Sequence, residues 1–279
     1  MIPPLCDHSN MCSNLVHAVL AAHGGRRVNT LLRRQGPVAL HRLYAAMRPD
    51  ERAALDEQAE MLRAGRVGAV LLGDPDYPAA LAASPGAPST LFHRGPIELL
   101  HRPVLVLYGG PDASDGELIA ADMAARIAAG AGMTVVSGDP GGVGGAAAVA
   151  ALRHGGDAGL VLAEALRPGA TGTRDAGRLV VVSQFPPGLP WSVDTAMARN
   201  ATLAGLGTAL VAVAAGSTGG TLDAGLRALE LGRPVLAVGD TPGSRLLVDH
   251  GATPARDRIE LAWWLDRLKA SRERAVSCA

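Results

Sequence analysis

Lysine is almost missing from this chain. Lys269 is the only one among 279 residues, so nearly all positive charge rests on arginine. Basic and acidic side chains balance, 26 against 26, which argues against a strong non-specific polyanion binder while leaving local patches open. Aromatic residues make up only 3% against 48% hydrophobic overall, so the core is built from Ala, Val and Leu and suits α/β layers with helices close against a sheet. Cysteine is scarce and odd in number. Cys6, Cys12 and Cys278 lie near the ends without metal-ligand spacing, which speaks against a disulfide framework and a structural metal. No apolar run reaches bilayer-spanning length, and the opening MIPPLCDHSN has neither the basic flank nor the hydrophobic stretch of an export signal. The expectation is a cytoplasmic, reduced protein without cofactor or metal.

Glycine and proline, by contrast, are plentiful, at 35 and 19 residues, and are spread between periodic segments rather than gathered in a disordered tract. The stretch from Leu206 to Val238 shows what they are for. Thr208 to Ala214 is an unbroken small-apolar run, as in a strand buried on both faces of a parallel sheet. Gly216-Ser217-Thr218-Gly219-Gly220-Thr221 follows, then a helix with Leu222, Leu226 and Leu229 on one face, a cap at Gly232 and a new strand over 234–238. This is a βαβ unit whose glycine- and hydroxyl-rich turn aims free amides and a helix dipole at an anion, with an unliganded tight turn as the alternative. The chain makes such a turn three times. The others follow the apolar runs at 104–108 (GGPDASDGEL, with a helix carrying Leu118, Ile119, Met123 and Ile127) and 133–137 (SGDPGGVGG). The second also has the glycine spacing of a dinucleotide fingerprint, yet no ribose-binding acid stands about twenty residues on at a strand end.

Read in order, residues 13–66 form four short helical segments broken at Gly24-Gly25, Gly36-Pro37 and Pro49. Between residues 26 and 52, Arg26, Arg27, Arg33, Arg34, Arg42, Arg48 and Arg52 meet only Asp50 and Glu51, so this stripe is either a solvated face or a contact for a nucleic-acid backbone. Residues 67–72 read as a first strand. Prolines 75, 78, 85 and 88 keep the next stretch out of a regular helix. Further strands are expected at 159–163 and 179–182. The predicted architecture is α/β: an extended Rossmann-like parallel sheet over 67–252 with helices on both faces, a small helical domain over 1–66 before it, and a C-terminal helix over 253–279. In that last helix Leu261, Trp263, Trp264, Leu265 and Leu268 recur at a spacing that favours packing over base stacking.

Asp76-Tyr77-Pro78, Leu81, Pro88, Leu91-Phe92 and Arg94-Gly95, then Val135-Val136-Ser137-Gly138, Gly142-Val143, Pro186 to Gly188, Arg199-Asn200, Gly219-Gly220-Thr221-Leu222 and Gly251-Ala252, stand in an order that resembles the DNA-processing protein A (DprA, or Smf) family from about residue 65 to 252. Departures from the family pattern are specific. Pro111 stands in place of the first-turn arginine, Gly144 and Ala147-Ala148 in place of an Asp and an Ala-His, Gln184 in place of a Glu, and Ala201 in place of a second arginine. Many relatives end in a winged-helix domain, for which the residues after 252 are too few.

The resemblance implies a non-enzymatic protein of DNA uptake, transformation and recombination. Such a protein binds single-stranded DNA, assists loading of the RecA recombinase and acts as a homodimer in the cytoplasm, away from membranes. Its DNA- or phosphate-binding residues here are Gly109, Gly110, Ser114, Gly116, Ser137, Gly138, Gly142, Arg199, Asn200, Thr218, Gly219, Gly220 and Thr221, with no catalytic residue. Arg199 is expected to be the main remaining cation of the pocket, exposed and dispensable for the fold. Residues 104–252 carry 9 Arg against 13 Asp plus Glu, so binding weaker and less salt-sensitive than the family norm is expected. The alternative is a nucleotide-binding sensor or a phosphoribohydrolase-like member of the same Rossmann-like superfamily, for which Glu230 lies far from the glycine turn along its helix.

Overall fold

The computed structural model describes residues 8–138, 140–167 and 177–277. Four helices come first: α1 (His8–His23), α2 (Gly25–Gln35), α3 (Val38–Ala45) and α4 (Pro49–Ala64). Gly36, at φ 69°, supplies the left-handed residue that ends α2, and Pro49 occupies the first turn of α4, where its missing N–H leaves no helix bond unmade. The remaining elements are β1 (Gly68–Leu71), the single turn α5 (Ala79–Ala82), β2 (Thr90–Arg94), a 3-10 turn (Ile97–His101), β3 (Val104–Gly109), α6 (Asp115–Gly130), β4 (Thr134–Ser137), α7 (Gly142–Arg153), β5 (Asp157–Leu162), β6 (Leu179–Ser183), α8 (Val193–Leu206), β7 (Ala209–Val213), α9 (Gly220–Glu230), β8 (Val235–Val238), α10 (Pro242–Asp249), β9 (Thr253–Ala255) and α11 (Arg258–Ser277).

Among the described residues, nine strands join one sheet in the order β1-β2-β6-β5-β4-β3-β7-β8-β9. β3 to β9 run parallel, and β1 and β2 extend the sheet antiparallel beyond β6. The chain works outward from β3 through β4, β5 and β6, then returns to β7 on the other side of β3. The strand order therefore reverses between β3 and β7, and the crevice beyond the carboxyl ends at such a reversal is where open α/β sheets hold ligands. The segments expected at 133–137 and 208–214 lie in this one sheet, on either side of β3. β2, β9 and α10 lack a periodic run long enough to be read from sequence.

Helices α6, α7 and α11 share an apolar cluster on one face with Leu105, Leu107 and Val135, while α8, α9 and α10 cover the other face with Val106, Val136 and Leu210. On α6 the buried face is alanine: Ala120, Ala121, Ala124, Ala125 and Ala128. The larger Ile119 is 48% exposed, and Leu118, Met123 and Ile127 are only half-buried. Small side chains let this helix approach the sheet closely, so the bulky residues sit at its margins. The N-terminal helices are built into the same structure. Leu15 and Val19 of α1 share one apolar cluster with Val70 and Leu71 of β1 and Leu91 of β2. The Asn29 amide donates to the Ala87 carbonyl at 2.6 Å, and Arg33 donates to the Ser84 carbonyl at 2.9 Å.

Three arginines of the stripe are engaged by the protein itself. Arg33 holds the 82–84 turn, Arg48 pairs with Asp50 and Glu51, and Arg52 lies 6.0 Å over the Tyr44 ring. Arg27, Arg34 and Arg42 are exposed. The Asp-Tyr-Pro segment is structural as well: Tyr77 is buried and its hydroxyl donates to the Pro88 carbonyl at 2.8 Å.

Two predictions follow from local strain and burial. Arg66 ends α4 with φ 54°, while Val67 N–H reaches back to the Leu62 carbonyl at 2.9 Å. A side chain in that conformation is disfavoured relative to glycine, so Arg66→Gly is expected to raise stability by up to about 1 kcal/mol in urea melts. His17 and His93 both have pKa values held below the ordinary imidazole value, chiefly by burial, and His41 beside His17 adds to its depression. The unfolded chain therefore binds more protons than the folded one just below pH 6.5, and stability falls as pH drops from 6.5 towards 5, above the range where carboxylates titrate. His93→Gln is expected to flatten that limb of the stability–pH curve; an unchanged slope would show that His93 does not contribute to it.

Candidate nucleic-acid interface

The three glycine turns open at the carboxyl ends of β3, β4 and β7, which are parallel and adjacent, so they share one edge of the sheet as expected. The contacts between them explain the glycines. A Cβ at Gly142 would lie 2.3 Å from the Gly110 carbonyl oxygen and 2.6 Å from Pro111, so the first two turns pack backbone to backbone. One at Gly109 would meet Val143, one at Gly220 the Tyr108 hydroxyl at 2.8 Å, and one at Gly138 the Arg199 guanidinium at 2.4 Å. These four glycines admit the protein's own groups. Gly110, Gly116 and Gly219 are different, since a Cβ there would meet open space. Gly219, at φ 104°, turns the chain into α9.

Arg199 is a correction to the sequence expectation. It is 3% exposed rather than free in a pocket. Its guanidinium donates to the Val161 carbonyl at the end of β5 and to the Tyr108 hydroxyl in β3, both at 2.8 Å, and its Nε donates to Asn200 at 3.3 Å. Stacked 5.4 Å from the Tyr108 ring and pressed against Gly138, it joins the carboxyl ends of three strands. Asn200, fully buried, carries the connection on by donating to the Gly220 carbonyl at 3.3 Å and to Asp223 at 3.0 Å. Asp223 also accepts from Arg227 at 2.8 Å, so an acid in the first turn of α9 is paired with a half-exposed cation in its last turn. Asp223 reads from sequence as an acid near a turn, but neither it nor Tyr108 or Arg227 is legible there as a member of this cluster. Tyr108 ends an apolar run and reads there as core, and the other two lie on a helix face until Asn200 is placed against them.

Ser137 lies in the same cluster. It is fully buried at the end of β4, and its hydroxyl has no hydrogen-bond partner among the described residues. Thr218 and Gly219 are exposed on the third turn, with Gly220 and Thr221 half-buried at the start of α9. Amides at such a helix start lack intrahelical partners and attract anions. Ser114 and Gly116 stand apart from this cluster. Ser114 caps α6 by exchanging hydrogen bonds with Glu117, and both residues line a cleft on the side of α6 and α11. Other serines are structural: the Ser183 hydroxyl donates to the Glu164 carbonyl at 2.6 Å and accepts from Phe185 N–H. Among the described residues no group of His, Cys, Asp and Glu is placed to hold a metal ion, and no helix is long and apolar enough to cross a membrane.

An open, mostly parallel sheet flanked by helices, with glycine turns gathered at its strand reversal, defines a Rossmann-like fold. Comparison with known proteins narrows this. The family model described as DNA recombination-mediator protein A matches residues 68–261, and the chain belongs to that family. It is 32% identical over 258 residues to the putative DNA processing protein DprA of two Mycobacterium tuberculosis strains, an alignment covering 82% of this chain and 66% of theirs. The fold is similar to that of DNA processing protein A from Streptococcus pneumoniae (TM-score 0.66, 21% identity, 90% of this chain and 94% of that one). It is also similar to DNA processing protein A from Helicobacter pylori, a structure described for its single-stranded DNA binding mode (TM-score 0.63, 17% identity, 74% of this chain and 97% of that one).

Burial of Arg199 reverses the expectation that its removal leaves the fold intact. Arg199→Ala would strand the Val161 carbonyl and the Tyr108 hydroxyl without this partner. A loss of roughly 2–4 kcal/mol in denaturant melts is expected, with Arg199→Lys intermediate because an ammonium cannot reproduce the planar fork. A loss for Arg199→Ala below about 1 kcal/mol would contradict the structural role assigned here.

Proposed function

We propose that this chain binds single-stranded DNA along the carboxyl edge of its sheet and, as a homodimer, assists its transfer to the RecA recombinase during DNA uptake and recombination. Family membership supports the DNA-processing part of this reading. The RecA and dimer parts rest on the family resemblance. The observation that carries the DNA contact is the convergence of the first, second and third turns around Arg199 and Asn200, with open space at Gly110 and Gly219 beside the free amides of α9. Arg199 orders the site from below, and the strand is contacted by backbone amides, the Thr218 and Thr221 hydroxyls, and Arg227 at the flank. The hydrolase alternative needs a glutamate and an arginine near the third turn, whereas Glu230 ends α9, about 15 Å along the helix axis from its start.

Few cations flank these turns, so oligothymidine binding is expected to show a shallow salt dependence, with a log–log slope no steeper than about −2, equivalent to about three phosphate contacts on a single strand. Thr218→Glu places a negative charge on the exposed third turn and is expected to weaken binding at least about tenfold at low salt, with the difference shrinking as salt rises. Fluorescence anisotropy on labelled oligothymidine measures both. Unchanged binding by the variant would move the contact to the exposed arginines of α2 and α3. Binding of mononucleotides without oligothymidine would favour the sensor reading.

A further inference from the structure

On the opposite helix face from Arg199, a cleft of about 420 Å³ opens beyond the carboxyl ends of β7 and β8. Its volume falls within the range of small-molecule sites, and it adjoins the strand reversal between β3 and β7. The floor is apolar, formed by Val213, Ala214, Val238 and Leu261. Ala214 holds a left-handed conformation (φ 48°) where the chain leaves β7.

Charges of both signs surround this floor. Glu117 and Asp257 are fixed in place because one oxygen of each accepts backbone N–H groups: Glu117 from Ser114, and Asp257 from Ile259 and Glu260. The second oxygen of each has no hydrogen bond among the described residues. Asp240 is paired with Arg245, and Arg256 with Glu260. Arg258 is exposed and has no ion pair among the described residues. Three carboxylates against two guanidiniums make a poor seat for a multiply charged phosphate. They suit a planar, uncharged group with apolar faces and hydrogen-bonding edges. Fixed carboxylates accept from an amino group, and Arg258 donates to a ring nitrogen or carbonyl.

We infer that this cleft is a nucleobase site selective for bases bearing an exocyclic amino group: adenine, cytosine or guanine rather than thymine. The inference is independent of the DNA reading above, whose oligothymidine probe lacks that amino group.

The test is titration of the full chain with deoxyadenosine, deoxycytidine, deoxyguanosine and thymidine, followed by calorimetry or ligand-observed NMR. At least one amino-bearing nucleoside is expected to bind five-fold or more tightly than thymidine. Glu117→Gln keeps the helix cap, since glutamine serves in the same position, and is expected to remove most of that preference. Val238→Trp fills the floor and is expected to abolish binding, and Arg258→Ala, at an exposed position, serves as the variant least able to disturb folding and is expected to weaken binding several-fold. Displacement of the nucleoside by oligodeoxyadenosine but not by oligothymidine would identify the occupant as a base of a bound strand; retention in the presence of both would identify a free nucleoside. Failure of every nucleoside to bind, equal binding of all four, or no effect of Glu117→Gln and Arg258→Ala would overturn the assignment.

Discussion

One buried guanidinium sets the geometry of the sheet's functional edge. Arg199 reaches from α8 on one face of the sheet to the ends of β3, β4 and β5, and Asn200 beside it extends the connection to α9. A desolvated cation is tolerable only when its donors are satisfied, so the strand ends must remain where they satisfy it. The turns inherit their spacing from that requirement. Gly138 must lack a side chain because the guanidinium lies against it, and Gly220 because the Tyr108 hydroxyl does.

The same economy of side chains governs the helix layers. Alanine faces on α6 and α7 bring those helices close to the strands, and Gly142 brings the second turn onto the first. The polar edge is therefore narrow, with backbone exposed where side chains are absent.

The sheet was legible because its parallel strands are continuous apolar runs, and the order of landmarks around the glycine turns was enough to place the family. The expected strands at 104–108, 159–163, 179–182 and 234–238 differ from β3, β5, β6 and β8 by at most two residues at either end. The roles of individual site residues were less legible. An arginine followed by an asparagine reads the same whether it is exposed to a ligand or buried beneath it, because its partners, Tyr108 and Val161, are distant in sequence. Gly138 and Gly219 likewise look equivalent in a string of letters, though one accommodates a side chain and the other borders open space. The alanine face of α6 was obscured by its larger apolar neighbours, which draw attention to the margin of the helix rather than its centre.

The antiparallel pair β1 and β2 joins the N-terminal helices to the parallel sheet. Because α1 packs on these two strands and its side chains run into the same apolar cluster as β3 and α8, no seam of solvent separates the helical segment from the rest. Loosening α1 would uncover Val70 and Leu91, and through β2 would disturb the pairing of β6. Cooperativity of folding therefore extends across the point where the sequence pattern changes from helical to α/β, and the arginine-bearing helices move with the sheet rather than as an independent arm.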